Sequence, residues 1–298
     1  EAQVDLAKNT IKHSTLSSLR RTEWIRRNKN NDNSLSQQNI NLNFSNEMLS
    51  SLAKLVSAST KKKSKKRKKS NNWNLWSDGD ISFTKVGAGL LSYGKKIKTN
   101  GITIGADKIN KNNNLTGYSF RFGDDHVDVS SNAFLDQNSY TFMFYNSINE
   151  NENKYFDSVI GISYLNIDQE RYFKSWNSGE RNGKQFFGTL KYASFDDKLK
   201  FYEKYLKLTV GRTILSEFTE TGDDKQIRFD KRGINLLKAS SGLKVKNTNE
   251  YKDYKLTTLG SMEHSIDFSP SSRQAFTYIN ERNQHYLKSS SSGQTIIG

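Results

Sequence analysis

From Trp73 onward the chain alternates apolar and polar residues with a period of two. Ile102, Ile104 and Ala106 alternate with Thr103, Gly105 and Asp107. Tyr118, Phe120 and Phe122 alternate with Ser119, Arg121 and Gly123. Successive side chains of a strand point to opposite faces, so each segment has one apolar and one wet face. Rings and branched side chains occupy the apolar face, while Gly, Ser, Thr and charges occupy the other. Such a sheet can face lipid outward around a polar lumen. Strands are predicted near 74–86, 97–109, 115–129, 139–149, 154–172, 184–196, 200–218, 227–247, 254–268 and 275–288.

The connectors sort into two kinds. Lys111–Asn114, Asn149–Asn153, Asp196–Lys198 and Thr248–Lys252 are short and polar. Leu90–Lys96, Ser130–Asn138, Lys174–Gly183 and Glu220–Lys225 read as longer. Tight turns at one end and larger loops at the other suit an outer-membrane barrel. Trp73, Trp76, Tyr172 and Trp176 lie near predicted strand ends, where aromatic girdles meet the headgroups. Glycines inside strands, such as Gly105 and Gly211, weaken pairing; a lumen that admits another backbone would explain them.

Upstream the pattern changes to helical spacing. Residues 4–27 show it in part, with Val4, Ile11, Leu19, Trp24 and Ile25 as apolar points. A second candidate begins at the N-cap residues Ser45 or Asn46 and puts Met48, Leu49, Leu52, Leu55 and Val56 on one face. The run 61–69 then holds eight basic residues. It reads as a nucleic-acid arm, as a tether near anionic headgroups, or as a solvated spacer.

Charge separates these readings. Residues 1–72 hold 16 Lys+Arg against 5 Asp+Glu, whereas residues 73–298 hold 30 against 26. The strand region therefore offers no basic face, and no nucleic-acid partner is expected. No run approaches the ~18–20 apolar residues a membrane helix needs, but barrel strands need only ~9–11 with alternate ones apolar. The lone proline, Pro270, seldom interrupts strands, and the absence of cysteine suits passage through an oxidising periplasm. The chain starts at Glu1 with no apolar signal core, so it reads as a fragment or mature piece.

No catalytic or metal constellation emerges. His13, His126, His264 and His285 have no ligand spacing, and Asp124, Asp125 and Asp128 lack an EF-hand order. Gly87-Ala88-Gly89 precedes no helix, and no serine sits in a G-x-S-x-G elbow. No enzyme activity, metal or cofactor is expected.

The run Gly101-Ile102-Thr103-Ile104-Gly105-Ala106-Asp107, followed by Gly117-Tyr118-Ser119-Phe120-Arg121-Phe122-Gly123, resembles two successive strands of the autotransporter β-domain. Trp73 to Gly79 is similar to its first strand. Arg181-Asn182-Gly183 and Glu263 to Ser269 are similar to later positions. The resemblance spans residues 73–298. It implies an all-β fold, a twelve-stranded antiparallel up-and-down barrel in the outer membrane of a Gram-negative bacterium. It further implies type V secretion of an N-terminal passenger, a linker helix in the pore, and insertion by the barrel-assembly machinery. About ten strands are legible, and the chain stops at Gly298 without a terminal aromatic, so the barrel is expected to be C-terminally incomplete. Residues 1–72 then form a passenger-proximal linker and 73–298 the translocator barrel.

The alternation assigns Ile102, Ile104, Tyr118, Phe120, Phe122, Phe142 and Phe144 to the lipid face. It assigns Thr103, Ser119, Arg121, Thr141 and Glu263 to the lumen, Arg121 and Glu263 as charged contacts to a plug. Either helix could fill the pore. A monomer with outer-membrane lipid as its surround is expected. Two alternatives stay open, a soluble β-rich binding protein with a basic arm and a porin-like barrel without a passenger.

Overall fold

The computed structural model describes residues 1–27, 46–61, 73–87, 94–110, 113–129, 132–151, 153–172, 174–195, 202–222, 225–250, 255–289 and 295–297. The basic run beyond Lys61 lies outside them. Among the described residues two helices, α1 (Ala2–Arg27) and α2 (Glu47–Lys61), precede the strands. The strands are β1 (Trp73–Val86), β2 (Lys95–Ile109), β3 (Leu115–Val129), β4 (Ala133–Asn151), β5 (Lys154–Tyr172), β6 (Trp176–Phe195) and β7 (Tyr202–Leu215). They continue with β8 (Phe218–Thr219), β9 (Ile227–Phe229), β10 (Arg232–Glu250), β11 (Lys255–Asp267), β12 (Arg273–Tyr278), β13 (Gln284–Lys288) and β14 (Thr295–Ile297).

One antiparallel sheet runs in the order β1 to β7, then β10, β11 and β14. Nine of these strands are long, and the tenth pairs over three residues only. The sheet curls, but among the described residues β1 and β14 are its two ends and do not pair, so the curled sheet is open along one side. A second sheet, β13-β12-β9-β8, forms from the connections β7–β10 and β11–β14. Predicted strand 275–288 is therefore the hairpin β12–β13, broken at Ile279–Arg282, and does not join the barrel.

Two expected long connections are short. β3 and β4 pair out to Val129 opposite Ala133, and β5 and β6 out to Tyr172 opposite Trp176. Residues 133–138 and 176–183 read as loop because their outward positions, apart from Phe134 and Trp176, are polar: Asp136, Asn138, Ser178, Glu180 and Asn182. Their inward positions, Leu135, Gln137 and Arg181, are buried and keep the strands in register. At 19, 19 and 20 residues, β4, β5 and β6 are about twice the length a bilayer requires. They project beyond it, and the small sheet sits at that projecting end: Ser178 of β6 bridges Thr221 beside β8.

Burial alternates along these strands, and both faces carry bulk. Outward lie Ile160, Ile162, Phe186, Leu190, Leu206, Leu208 and Val210, all exposed. Inward at the projecting end, Ile97, Val127, Leu135, Leu165, Ile167, Leu215 and Ile234 form an apolar cluster with Val4, Leu6 and Ala7 of α1. A second inward cluster, with Met143, Val159, Phe187 and Leu236 against Ile11 and Leu19 of α1, lies nearer the short turns, so the lumen mixes apolar patches with the polar positions between them.

Candidate functional site

The interior is filled by α1. Gln3 bonds Gln169 and Arg181 near the β5–β6 connection, whereas Arg26 bonds Ser147 and Asp157 beside the β4–β5 turn. The helix therefore runs from the projecting end to the short-turn end, where β1 begins with Trp73 opposite Lys108. A 26-residue helix covers about 39 Å, enough to traverse the bilayer core.

This helix is polar around much of its surface yet buried, an arrangement that requires polar surroundings. Thr10, Ser14, Thr15, Ser17, Ser18 and Thr22 are all buried. Thr10 and Thr15 return their hydroxyl protons to the carbonyls of Leu6 and Ile11, which satisfies them within the helix. Others reach the wall: Ser18 bonds Ser119 at 3.1 Å, and Gln137 donates to Thr10 at 2.8 Å.

Charge pairs join α1 to strands all round it. Arg21 grips Asp107 of β2 through two nitrogens, at 2.6 and 3.0 Å. Arg26 does the same to Asp157 of β5 at 2.7 and 2.9 Å. Glu23 accepts from Lys191 of β6 and Lys244 of β10. Lys8 meets Asp267 of β11 at 2.6 Å, His13 meets Asp80 of β1 at 2.8 Å, and Asp5 pairs with Lys95 of β2. Charge-assisted bonds are about twice as strong as neutral ones, and the two-pronged Arg pairs also fix orientation. Asn9 reaches Thr99 and Asp125, on β2 and β3.

Packing places the helix close to the wall. A Cβ on Gly211 of β7 would come within 2.6 Å of Ile11 Cδ1. A Cβ on Gly105 would meet the Trp76 ring at 2.5 Å. That ring donates to Tyr145 Oη at 2.7 Å, and Tyr145 donates to Asp107 at 3.0 Å. Trp76, Tyr145 and Arg21 thus surround one buried carboxylate.

The sequence-assigned residues distribute as follows. Thr103, Ser119, Arg121 and Thr141 are buried on the wall that faces α1. Ser119 and Thr141 bond Ser18 and Ser14. Arg121 instead pairs with Asp80 at 3.0 Å, and Asp80 in turn holds His13, so its link to the helix is indirect. Glu263 is held by Lys207 and Tyr205, at 2.7 Å each, and has no bond to α1 among the described residues. Both charges find partners on the wall, each across one intervening strand, Arg121 over β2 to Asp80 of β1 and Glu263 over β10 to Lys207 and Tyr205 of β7. Of the outward set, Tyr118 and Phe142 are exposed at 45% and 49%, and Ile104, Phe120 and Phe144 are half-buried. Ile102 and Phe122 share that face but are only 3% and 1% exposed, because Leu49 and Ala53 of α2 cover them. Trp73, Tyr172 and Trp176 are exposed, whereas Trp76 turns inward at 5% and lies beside α1. Its strand parity, three residues from Trp73, puts the two rings on opposite faces.

Sequence reading missed Arg21, Glu23, Arg26, Asp107, Asp157 and Lys191. Asp107 shares inward parity with Thr103, and Lys191 with Thr189, so alternation could have flagged the strand members. Nothing along the sequence links them to α1.

At the projecting end Arg181 ties the plug to the small sheet. It donates to Gln3, to Gln274 of β12, and to the carbonyls of Ser216 and Asp230. Arg171 grips Glu220 at 2.7 and 2.6 Å.

A curled antiparallel sheet with an apolar outer wall and a helix ion-paired inside it is a membrane-type β-barrel whose pore is filled. The model of the autotransporter beta-domain family matches residues 75–295, and the chain belongs to that family. Among solved structures it is similar to the translocator domain of autotransporter NalP from Neisseria meningitidis. The two share 11% identity with a TM-score of 0.54, over 82% of this chain and 89% of that chain. At that identity the likeness is one of fold. No curated protein matches the chain in sequence. Domains of this family are outer-membrane transport barrels of Gram-negative bacteria, and this chain is one of them.

Proposed function

We propose that residues 73–298 help an N-terminal passenger reach the cell surface, and that residues 1–72 are the passenger-proximal linker, whose helix α1 remains in the pore. The observation that carries this reading is α1 inside the sheet, its N-terminal end at the projecting side. Short turns of such barrels face the periplasm, so a passenger joined before α1 would emerge outside. A polar, closely fitted interior accepts a chain whose backbone bonds are internally satisfied, which a helix provides. Outward aliphatics would meet lipid, which disfavours a soluble binding protein, and a helix gripped by several ion pairs disfavours an open porin. The chain acts as a monomer, depends on the barrel-assembly machinery for insertion, and uses no cofactor or nucleic acid.

The test fuses an epitope-tagged passenger before residue 1 and expresses the protein in a Gram-negative host. The expected result is outer-membrane fractionation, heat-modifiable migration, and an epitope that protease removes from intact cells. An epitope retained in the periplasm while the barrel is inserted would overturn the secretion reading.

A further inference from the structure

Two cations stand on the outer wall where the apolar band ends. Lys184 of β6 lies between Tyr164 of β5 and Ile214 of β7. Arg212 of β7 lies between Phe186 of β6 and Asn235 of β10. The neighbouring rings are exposed, Tyr164 at 44% and Phe186 at 59%. Arg212 Nη2 extends to within 3.9 Å of where a Cβ on Gly233 would stand. Gly233 pairs with Ile214, so the guanidinium tip reaches the level of Lys184, two strands away. At about 4.8 Å per strand, the two charges are on the order of 10 Å apart.

Their level in the wall is distinctive. Toward the short turns Ile162, Ile160, Val210, Leu190, Leu208 and Leu206 face outward, all apolar and exposed, and Lys204 follows only nearer the turns. Toward the projecting end they become Asn166, Asn182 and Ser216. The pair therefore marks the outer border of the apolar band. The inward cations Arg21, Arg26, Lys191 and Lys207 each have a carboxylate. Among the described residues Lys184 and Arg212 have no ion-pair partner. A long cationic side chain at such a border keeps its stem on apolar surface and sends its head toward the interface. Farther out, Asp136, Asp168 and Glu180 face one another across β4, β5 and β6, so an acidic sector bounds the cationic one.

We infer that Lys184 and Arg212 form a docking surface for the phosphorylated headgroup of an outer-leaflet lipid. The headgroup phosphates meet the two cations, and the acyl chains lie over Ile162, Phe186 and Val210. The inference rests on the membrane reading above and specifies a partner for the barrel's outer wall.

The test uses the full chain in detergent and compares retention of bisphosphorylated lipid A with that of its dephosphorylated form. The parent is expected to prefer the phosphorylated lipid by about tenfold, and K184Q/R212Q to lose that preference. K204Q, on the same wall toward the short turns, is expected to keep it. If heat-modifiable migration shows the double variant misfolded, K184Q and R212Q singly should each lose about threefold. Equal retention of both lipids by the parent, displacement of lipid A by inorganic phosphate, or a preference that survives in K184Q/R212Q would each overturn the inference. A preference that requires divalent cations and survives in that variant would assign the contact to the acidic sector instead. A parent that inserts and displays its passenger but shows no preference overturns this inference alone.

Discussion

Asp107 is buried and accepts from both Arg21 and Tyr145. Removing it strands a guanidinium that is itself buried, which costs about 3–5 kcal/mol. D107A is therefore expected to lower the thermal midpoint of heat-modifiable migration markedly. R21M/D107L, which removes both charges, should recover much of the loss, because a buried pair contributes less than breaking it costs. G105V forces a branched side chain against the Trp76 ring, with an expected loss of about 1–3 kcal/mol and a shifted tryptophan emission. If emission and midpoint stay at parental values, the inward placement of Trp76 is wrong. The inward parity of Asp107 and Gly105 was legible in the sequence, since alternation assigns faces. Their partners were not. Arg21 lies 86 residues from Asp107, and Tyr145 lies 69 from Trp76. No periodicity encodes which residues a curled sheet brings together.

Strands were legible as elements because the period-two pattern survives wherever one face is wet. The errors fall where that logic changes. Above the apolar band most outward positions turn polar, Phe134 and Trp176 excepted, so strand extensions at 133–138 and 176–183 resemble loops. The segment 275–288 alternates well enough to suggest one strand, but Ile279–Arg282 turn the chain back and make a hairpin. Helices followed a different course. The more amphipathic one, α2, lies on the outer wall over Ile102 and Phe122, and the more polar one, α1, lies inside. That outcome follows from surroundings: an apolar stripe seeks the apolar wall, and a polar helix seeks the polar lumen. L49D buries a carboxylate between α2 and Phe122. It is expected to release α2, so that limited proteolysis cleaves within 46–61 while heat-modifiable migration is retained. Continued protection of that segment would count against the docked position of α2.

At the scale of the molecule, the plug is held by charges of opposite sign on helix and wall. R21D/R26D places like charges against Asp107 and Asp157. The expected result in planar bilayers is a sustained ion conductance that the parent lacks, with D107R/D157R restoring the block when combined. Unchanged conductance would mean that the helix does not obstruct the pore. The sequence by itself determined the all-β class and the family, since these depend on local alternation and on ordered short motifs. Only the tertiary structure decided which helix fills the interior and which residues anchor it. It also decided how two long connections combine into a second sheet. Those outcomes depend on contacts between segments tens to hundreds of residues apart, and their energies exist only once the sheet has curled.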